Sequence, residues 1–394
     1  MQRRAFMNLI GGGSVAAATL SLGACSPEYP DAALAPWRGP QGTANDADLR
    51  RWALSHAILA PSPHNRQPWI ADLREPDAIS VHVDRTRLLP ETDPWFRQVM
   101  IGQGTFIEAL VLALRQRGIA PTVTLFPQGE FAAREVDDRP VARISWVPGG
   151  NAPARDPLFA QILARRTAKI DYDTSQPVAP TDIDALRSAL VDRAIAFGAT
   201  LEPARLDALR TLCIDSARTE LLTPRTVMES ARLIRVGPKE IAANPDGISI
   251  NEPLLRLLEA VGGFDRSLPP PDGSNAYKQM IGRFEGYSRS AMGFVWLTTP
   301  NAARASGTSR SAEVAAGRAY MRLQLKATEI GLQMHPMSQA PQEFGEMKPH
   351  YERLHQLLLG ADAPQHTVQM FCRIGHCANP QHAPRRSVDA IIRV

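Results

Sequence analysis

The 394-residue sequence predicts an α+β fold made of two related halves, each a mostly antiparallel sheet packed with helices. Two observations carry this prediction. Two helical segments of equal length recur, one from Gly104 to Gly118 and the other from Gly317 to Gly331, and neither contains glycine or proline between its ends. Each is followed by a strand candidate near the end of its half, residues 141–146 and 367–372. The halves are expected to pair within one chain as a pseudo-dimer.

The two helical segments share their apolar spacing and their endings. Apolar residues occupy one helical face of the first segment, and four of the same five offsets are apolar in the second: Phe106, Ile107, Leu110, Val111 and Leu114, then Ala319, Tyr320, Leu323 and Ala327. Each segment ends at a glycine followed by Ile119 or Leu332. This is the chemistry of a left-handed helix cap.

The remaining pattern divides the chain into a first half over residues 46–150 and a second half over residues 159–394. A linker rich in proline and glycine occupies residues 147–158. Further strands are predicted at 79–83, 122–126 and 294–298, and further helices at about 48–59, 180–190 and 203–219.

Residues 236–280 lack a clean period because glycine and proline interrupt them repeatedly. A segment this long without a period is either a lid or a disordered excursion. The lid is favoured, because Leu254, Leu255, Leu257 and Leu258 would need something to cover.

The N-terminus predicts export. Arg3-Arg4 resembles a twin-arginine signal over residues 1–24, and Leu22 to Cys25 resembles a lipobox whose cysteine is lipidated. The apolar run is too short and too rich in glycine for a transmembrane helix. Residues 25–45 are then a flexible tether, and the protein is expected in the periplasm, folded before export and anchored by lipid. The alternative is a disordered basic tail.

Charge and cysteine content narrow the function classes. The formal charge of +4 falls to +2 without Arg3 and Arg4, too little to indicate nucleic acid or an anionic membrane surface. Cys372 and Cys377 supply too few ligands for a metal cluster with His376. Unpaired thiols are favoured, and a Cys372–Cys377 disulfide stays open.

A polar loop lies between two prolines at residues 61–69. It begins with Pro61, Ser62 and Pro63 and carries Asn65, whose amide can donate and accept at once. Such an amide suits the carbonyl and imide edge of a heteroaromatic ring. From the residues alone, a purely structural turn is equally open.

A basic cluster follows the linker. Arg165, Arg166, Thr167 and Lys169 combine two guanidinium groups, a hydroxyl and an ammonium, which together suit a phosphate. The alternative is a solvated basic run.

The loop resembles the Pro-Ser-x-x-Asn-x-Gln-Pro-Trp loop of the nitroreductase-like FMN flavoproteins, and the chain resembles the Acg-type branch, in which two units are fused. The resemblance implies that Arg165, Arg166, Thr167 and Lys169 bind the FMN phosphate, with Lys169 close to the flavin ring. It also implies two further elements at the flavin: a turn along the flavin edge formed by Pro336, Met337, Ser338 and Gln339, and a basic pair at the phosphate formed by Arg385 and Arg386.

The loop occurs only in the first half and the phosphate cluster only in the second, so one FMN site per chain is expected between them. The resemblance implies an oxidoreductase that passes electrons to a small electron-poor acceptor. A non-enzymatic protein that holds FMN under the lid is the alternative. No catalytic side chain stands out, since a lone His335 beside proline favours a structural role.

Overall fold

A computed structural model describes residues 28–40, 47–262, 265–301 and 309–393. The predicted export signal and Cys25 lie outside the described residues. Among the helices described, none is both long and apolar enough to cross a membrane.

The described chain contains both α-helices and β-strands throughout its length. The helices are α1 Asp31–Leu34, α2 Leu49–Ala57, α3 Arg97–Gln116, α4 Pro180–Ser188, α5 Pro203–Leu222, α6 Pro224–Arg232, α7 Gly237–Ala243, α8 Pro253–Ala260, α9 Asn275–Arg289, α10 Arg310–Glu329 and α11 Lys348–Leu359. The strands are β1 Trp69–Asp72, β2 Ala78–Val83, β3 Thr122–Leu125, β4 Ala142–Ser145, β5 Ala196–Thr200, β6 Ile234–Val236, β7 Ile248–Ile250, β8 Gly293–Pro300, β9 Gln333–Pro336, β10 His366–Gly375 and β11 Ile392–Arg393.

Two large sheets confirm the predicted α+β class, and β6 and β7 form a small third sheet. The first has the order β11-β1-β2-β4-β3 and the second the order β5-β8-β10-β9. Their neighbouring strands run antiparallel except for β1 and β11, which pair in parallel. The five strands predicted from the pattern all form, in β2, β3, β4, β8 and β10.

The two long helices α3 and α10 cross at a pair of glycines. A Cβ atom on Gly104 would lie 2.1 Å from the carbonyl oxygen of Val314, and one on Gly317 would lie 2.0 Å from that of Ile101. Each glycine is the eighth residue of its helix. The same contact is therefore made from both sides, as at a two-fold interface. This geometry agrees with the predicted pseudo-dimer.

The structure corrects where these helices begin. They start at Arg97 and Arg310, seven residues before the glycines that were expected to begin them. Gly104 and Gly317 instead lie inside the helices, where they allow the close crossing. Their predicted ends are confirmed. Gly118 and Gly331 have φ values of 76° and 73°, and each is followed by an N–H that returns to the last helical turn.

The structure also corrects the tether and the second-half boundary. Within residues 28–40, Ala33 and Trp37 are buried, and the Trp37 indole N–H donates to the carbonyl of Ala383 at 2.8 Å. Because of these contacts, residues 28–40 pack against the rest of the protein and do not form the flexible tether that was predicted. At the other end, β11 leaves the second half and adds to the first sheet beside β1.

The predicted lid contains regular structure, with α7, β7 and α8 and the start of α9. Only part of its leucines can cover the body as expected: Leu255 and Leu258 are half-buried, whereas Leu254 and Leu257 are 66% and 60% exposed. The lid also contacts the loop at residues 61–69 through its turn, where the Gly247 N–H donates to the carbonyl of Asn65 and the Gln67 amide to that of Pro245.

Candidate functional site

The loop at residues 61–69 is held in an unusual backbone conformation. His64, Asn65 and Gln67 have φ values of 46°, 52° and 51°, which side-chain-bearing residues rarely adopt. Internal bonds hold it, since the Gln67 N–H donates to the Ser62 hydroxyl at 2.9 Å and the Thr105 hydroxyl to the Pro61 carbonyl at 2.7 Å. Backbone strain of this kind concentrates at functional sites.

The sequence predicted that Asn65 offers its amide to a heteroaromatic ring, but in the structure this amide is already hydrogen-bonded within the protein. Its Nδ2 donates to the carbonyl of Pro384 at 3.0 Å, and its Oδ1 accepts from Arg385 at 2.6 Å. The amide therefore organises the C-terminal segment, and through it Arg385.

Three basic residues surround the indole of Trp37 and a fourth, Arg166, lies near them; together they form what we call the Arg385 cluster: Arg165, Arg166, His382 and Arg385. The Arg165 and Arg385 guanidinium carbons lie 5.6 and 5.0 Å from the Trp37 ring centroid. The His382 ring stacks on the same indole at 4.1 Å. Both Arg165 and Arg385 are buried.

The carbonyl oxygen of Leu59 joins the two buried arginines. It accepts from Nη2 of Arg165 at 2.9 Å and from Nη2 of Arg385 at 3.3 Å. This carbonyl lies just after α2, where unpaired helix carbonyls carry partial negative charge. That charge stabilises two guanidiniums that would otherwise repel one another.

The Arg385 cluster contains no acid. Within the described residues, no carboxylate lies within 4 Å of Arg165, Arg166 or Arg385, and the Nε atoms of all three are buried without a hydrogen-bond partner. Burial lowers the pKa of Arg165 to about 10, and burial and then Arg165 lower the pKa of Arg385 well below its ordinary value. Buried cations without a counter-charge fit an anion such as a phosphate group.

Arg386 departs from the prediction that both arginines of the pair hold one phosphate. Its Nη1 donates to the carbonyl of Gln67 at 3.2 Å and lies 3.5 Å from the Asp84 carboxylate. Its backbone N–H donates to the Gln67 side chain. Arg385 and Arg386 therefore have different partners, and only Arg385 belongs to the Arg385 cluster.

Thr167 and Lys169 continue from Arg165. The Thr167 hydroxyl accepts from Arg165 at 3.3 Å. Lys169 is enclosed by protein yet keeps solvent-accessible surface, so it lies in a cleft. Arg373 fixes it by donating to the carbonyls on either side, those of Ala168 at 3.0 Å and Ile170 at 2.7 Å.

The Lys169 cleft brings the two halves together. Burial, then Lys169 and then Arg66, lower the pKa of His64 to about 4, which places the first-half loop close to the second-half lysine. Burial raises the pKa of Glu220 to about 7, and Lys169 opposes that rise. Burial in turn lowers the pKa of Lys169.

The turn at residues 336–339 reaches this cleft only in part. Pro336 pairs with Cys372 in the sheet, and the N–H of Met337 donates to the carbonyl of Phe371 at 2.8 Å. The Met337 side chain is buried in the core, so its predicted role at a flavin is not supported. Ser338 is half-buried, and the Gln339 side chain bonds to Glu220.

His335 has the structural role that its position beside proline indicated. It is buried, and its Nδ1 accepts from Arg373 Nε at 3.0 Å. Burial, then Arg373 and Lys169, lower its pKa well below the ordinary value.

A second group of arginines joins the lid to the loop, and we call it the Asp246 cluster: Asp246 with Arg66, Arg87 and Arg235. Asp246 is buried and lies 2.8 Å from Arg66, 2.5 Å from Arg87 and 3.0 Å from Arg235. Here every guanidinium has a carboxylate partner. The cluster fixes the lid turn against the loop.

The structure adds four residues that the sequence did not single out. His382 and Glu220 carried no pattern of their own, and His64 stood only as a variable position of the loop. Trp37 offered a signal, because a tryptophan after Ala35-Pro36 is out of place in a solvated tether.

Other candidate sites within the described part of the chain are weaker. A cavity of about 300 Å³ near Arg115 and Lys326 is lined by Arg322, whose charge Glu108 and Asp156 already pair. Among described residues no group of three metal-ligating side chains occurs. Cys372 and Cys377 are both free thiols.

Comparison with known proteins points to one group. A Mycobacterium tuberculosis protein named as a predicted NAD(P)H nitroreductase, acg, is 28% identical over 187 residues, 47% of this chain and 50% of that protein. The chain is similar to nitroreductase-type proteins. An uncharacterized protein of the same organism is 31% identical over 128 residues, 31% of this chain and 36% of that protein. The chain thus spans half or less of the length of these curated relatives.

Solved structures give only distant matches. The FMN-dependent nitroreductase NfnB from Mycobacterium smegmatis, in complex with NADPH, is 15% identical with a TM-score of 0.36, over 59% of this chain and 96% of that one. A nitroreductase-like protein from Bacillus cereus is 15% identical with a TM-score of 0.32, over 61% of this chain and 97% of that one. No model of a protein family matches the chain.

Proposed function

We propose that the chain binds one FMN between its two halves and acts as an FMN-dependent oxidoreductase of nitroreductase type. The Arg385 cluster carries this proposal, because its buried guanidiniums have no carboxylate among the described residues and suit the FMN phosphate. The similarity to the mycobacterial protein named as an NAD(P)H nitroreductase supports an activity of nitroreductase type.

Residues from both halves would hold the cofactor. Arg165 and Arg385 would bind the phosphate, with the hydroxyl of Thr167 beside them. Lys169, set in its cleft by Arg373, would lie at the ring, where a cation stabilises negative charge. The loop around Asn65 would hold Arg385 in place. Bound FMN would supply the electron transfer.

The acceptor in this proposal is a small electron-poor molecule, such as a nitroaromatic or a quinone. The chain itself would be exported by its twin-arginine-type signal and anchored in the periplasm through lipid on Cys25. A periplasmic protein has little access to NAD(P)H, so its electron donor is a different reductant.

A second function has one observation in its favour. The lid turn is fastened to the loop by the buried Asp246 cluster, so it narrows access to the site. A protein that holds FMN without turnover would use such a lid to exclude substrates.

Reduction kinetics distinguish these functions. The flavin-loaded full chain is mixed with dithionite-reduced methyl viologen under argon, and the reduced protein with p-benzoquinone or nitrofurazone. We expect full reduction and reoxidation at a rate that saturates with acceptor. A flavin that binds but is neither reduced nor reoxidised supports the holding function. A chain that binds no flavin contradicts both.

A further inference from the structure

The lid exposes an unusual amount of apolar surface. Nine large hydrophobic residues are exposed among those described, and four of them lie between residues 254 and 268. They are Leu254, Leu257, Val261 and Leu268, each at least 60% exposed. Apolar surface concentrated in this way marks an interaction site.

Helix α8 exposes part of its apolar surface to solvent. Leu254, Leu257 and Val261 fall on one face by their spacing. Leu255, Leu258 and Glu259 are half-buried, and Glu259 accepts from Arg266 at 2.5 Å. Arg256 is exposed, and its side chain lies 3.6 Å from where a Cβ on Gly237 would be. The helix therefore presents apolar side chains to solvent as well as to the protein, whereas the solvent-facing side of a surface helix in a globular protein is polar.

The start of the described chain lies beside this helix. The carbonyl of Glu28 accepts from the Asn251 amide at 2.9 Å, two residues before α8 begins. The Tyr29 hydroxyl donates to the Ser249 carbonyl. Cys25 precedes Glu28 by three residues, which span at most about 10 Å.

We propose that the face formed by Leu254, Leu257 and Val261 inserts into the surface of the lipid bilayer, beside the lipid carried by Cys25. The proposal goes beyond the flavin site and rests on the predicted lipidation. An outward apolar helix at an anchor is the arrangement of an interfacial membrane helix. The lipid already holds the chain at the membrane, so a small apolar face is enough to fix its orientation.

A second copy of the chain fits this face less well. A stable protein interface involves about 20–30 residues on each side. The face supplies three side chains, two on an eight-residue helix and the third, Val261, directly after it.

Depth-dependent fluorescence tests the proposal. The lipidated full chain, with Cys377→Ser to remove its half-exposed thiol, carries the dye NBD at Leu257→Cys in vesicles of phosphatidylethanolamine and phosphatidylglycerol. The matched control places the dye at Val191→Cys, a position that is 70% exposed. We expect blue-shifted emission at 257 and quenching by doxyl-labelled lipid several-fold stronger than at 191. Equal, water-like emission at both positions overturns the proposal, as does a chain whose Cys25 carries no lipid.

The oligomeric state of the Cys25→Ser chain separates membrane from self-association. We expect a monomer that partitions into the same vesicles about tenfold more strongly than its Leu257→Ser derivative. A dimer in solution that Leu257→Ser dissociates assigns the face to a second copy and contradicts the proposal.

Discussion

Two arginine clusters contact the loop at residues 61–69 and differ in how their charge is paired. In the Asp246 cluster, each guanidinium meets a buried carboxylate. In the Arg385 cluster, two buried guanidiniums share a carbonyl and have no carboxylate among the described residues. Guanidinium groups that are paired with a carboxylate of the protein hold parts of the structure together, whereas guanidinium groups without such a partner can bind an anionic ligand.

The largest effect is expected at Asp246. Asp246→Asn leaves three guanidiniums around a neutral amide, and breaking a buried ion pair in this way costs about 3–5 kcal/mol. The free energy of unfolding in urea measures the loss. The control is Asp184→Asn, which removes an exposed pair with Arg187 and is expected to cost less than about 1 kcal/mol. Equal losses in the two variants would show that the Asp246 cluster carries no special stability.

The next effect separates the two neighbouring arginines. Arg385→Met is expected to weaken FMN binding about 10- to 100-fold, because charge-assisted hydrogen bonds to the phosphate are lost. Riboflavin, which lacks the phosphate, should bind this variant as it binds the parent chain. Isothermal titration with both flavins measures the ratio.

Arg386→Met is the matched control for this ratio. Its guanidinium bonds to Gln67 and lies near Asp84, so the preference for FMN over riboflavin should persist. If both variants lost the preference for FMN over riboflavin equally, the different roles assigned to Arg385 and Arg386 would be contradicted.

The smallest effect is a pH dependence at His64. Its pKa falls from 6.5 unfolded to about 4 folded, so its contribution is present above pH 6.5 and is lost as pH falls toward 4. We expect the parent to lose about 1–3 kcal/mol more than His64→Asn over that range. Asparagine tolerates the positive φ at this position, which keeps the loop intact. Parallel stability curves would mean that His64 titrates normally.

Part of this architecture could be predicted from sequence because local chemistry determines it. The C-caps at Gly118 and Gly331 follow from glycine's freedom at positive φ. Strand β8 could be predicted because its residues form a continuous apolar run, which the structure buries almost throughout. Arg165 was predicted because its residue type suits a phosphate, and Arg385 because its stretch of sequence resembles the nitroreductase-like flavoproteins; their role at a phosphate stays a prediction.

The rest depends on tertiary contacts that no local pattern encodes. The two-residue strand β11 exists only because β1 offers an edge. Arg385 and Arg386 look equivalent in sequence, yet their side chains diverge, one to Leu59 and the other to Gln67. Trp37 is buried because a C-terminal carbonyl and stacked His382 meet it, more than 300 residues along the chain.

The flavin content of the full chain, released by denaturation and quantified against protein, tests the central claim most directly. We predict about one FMN per chain. Asn65→Ala in the first half and Lys169→Ala in the second should each lower this FMN content. No flavin, or two per chain, would contradict a single site built from both halves.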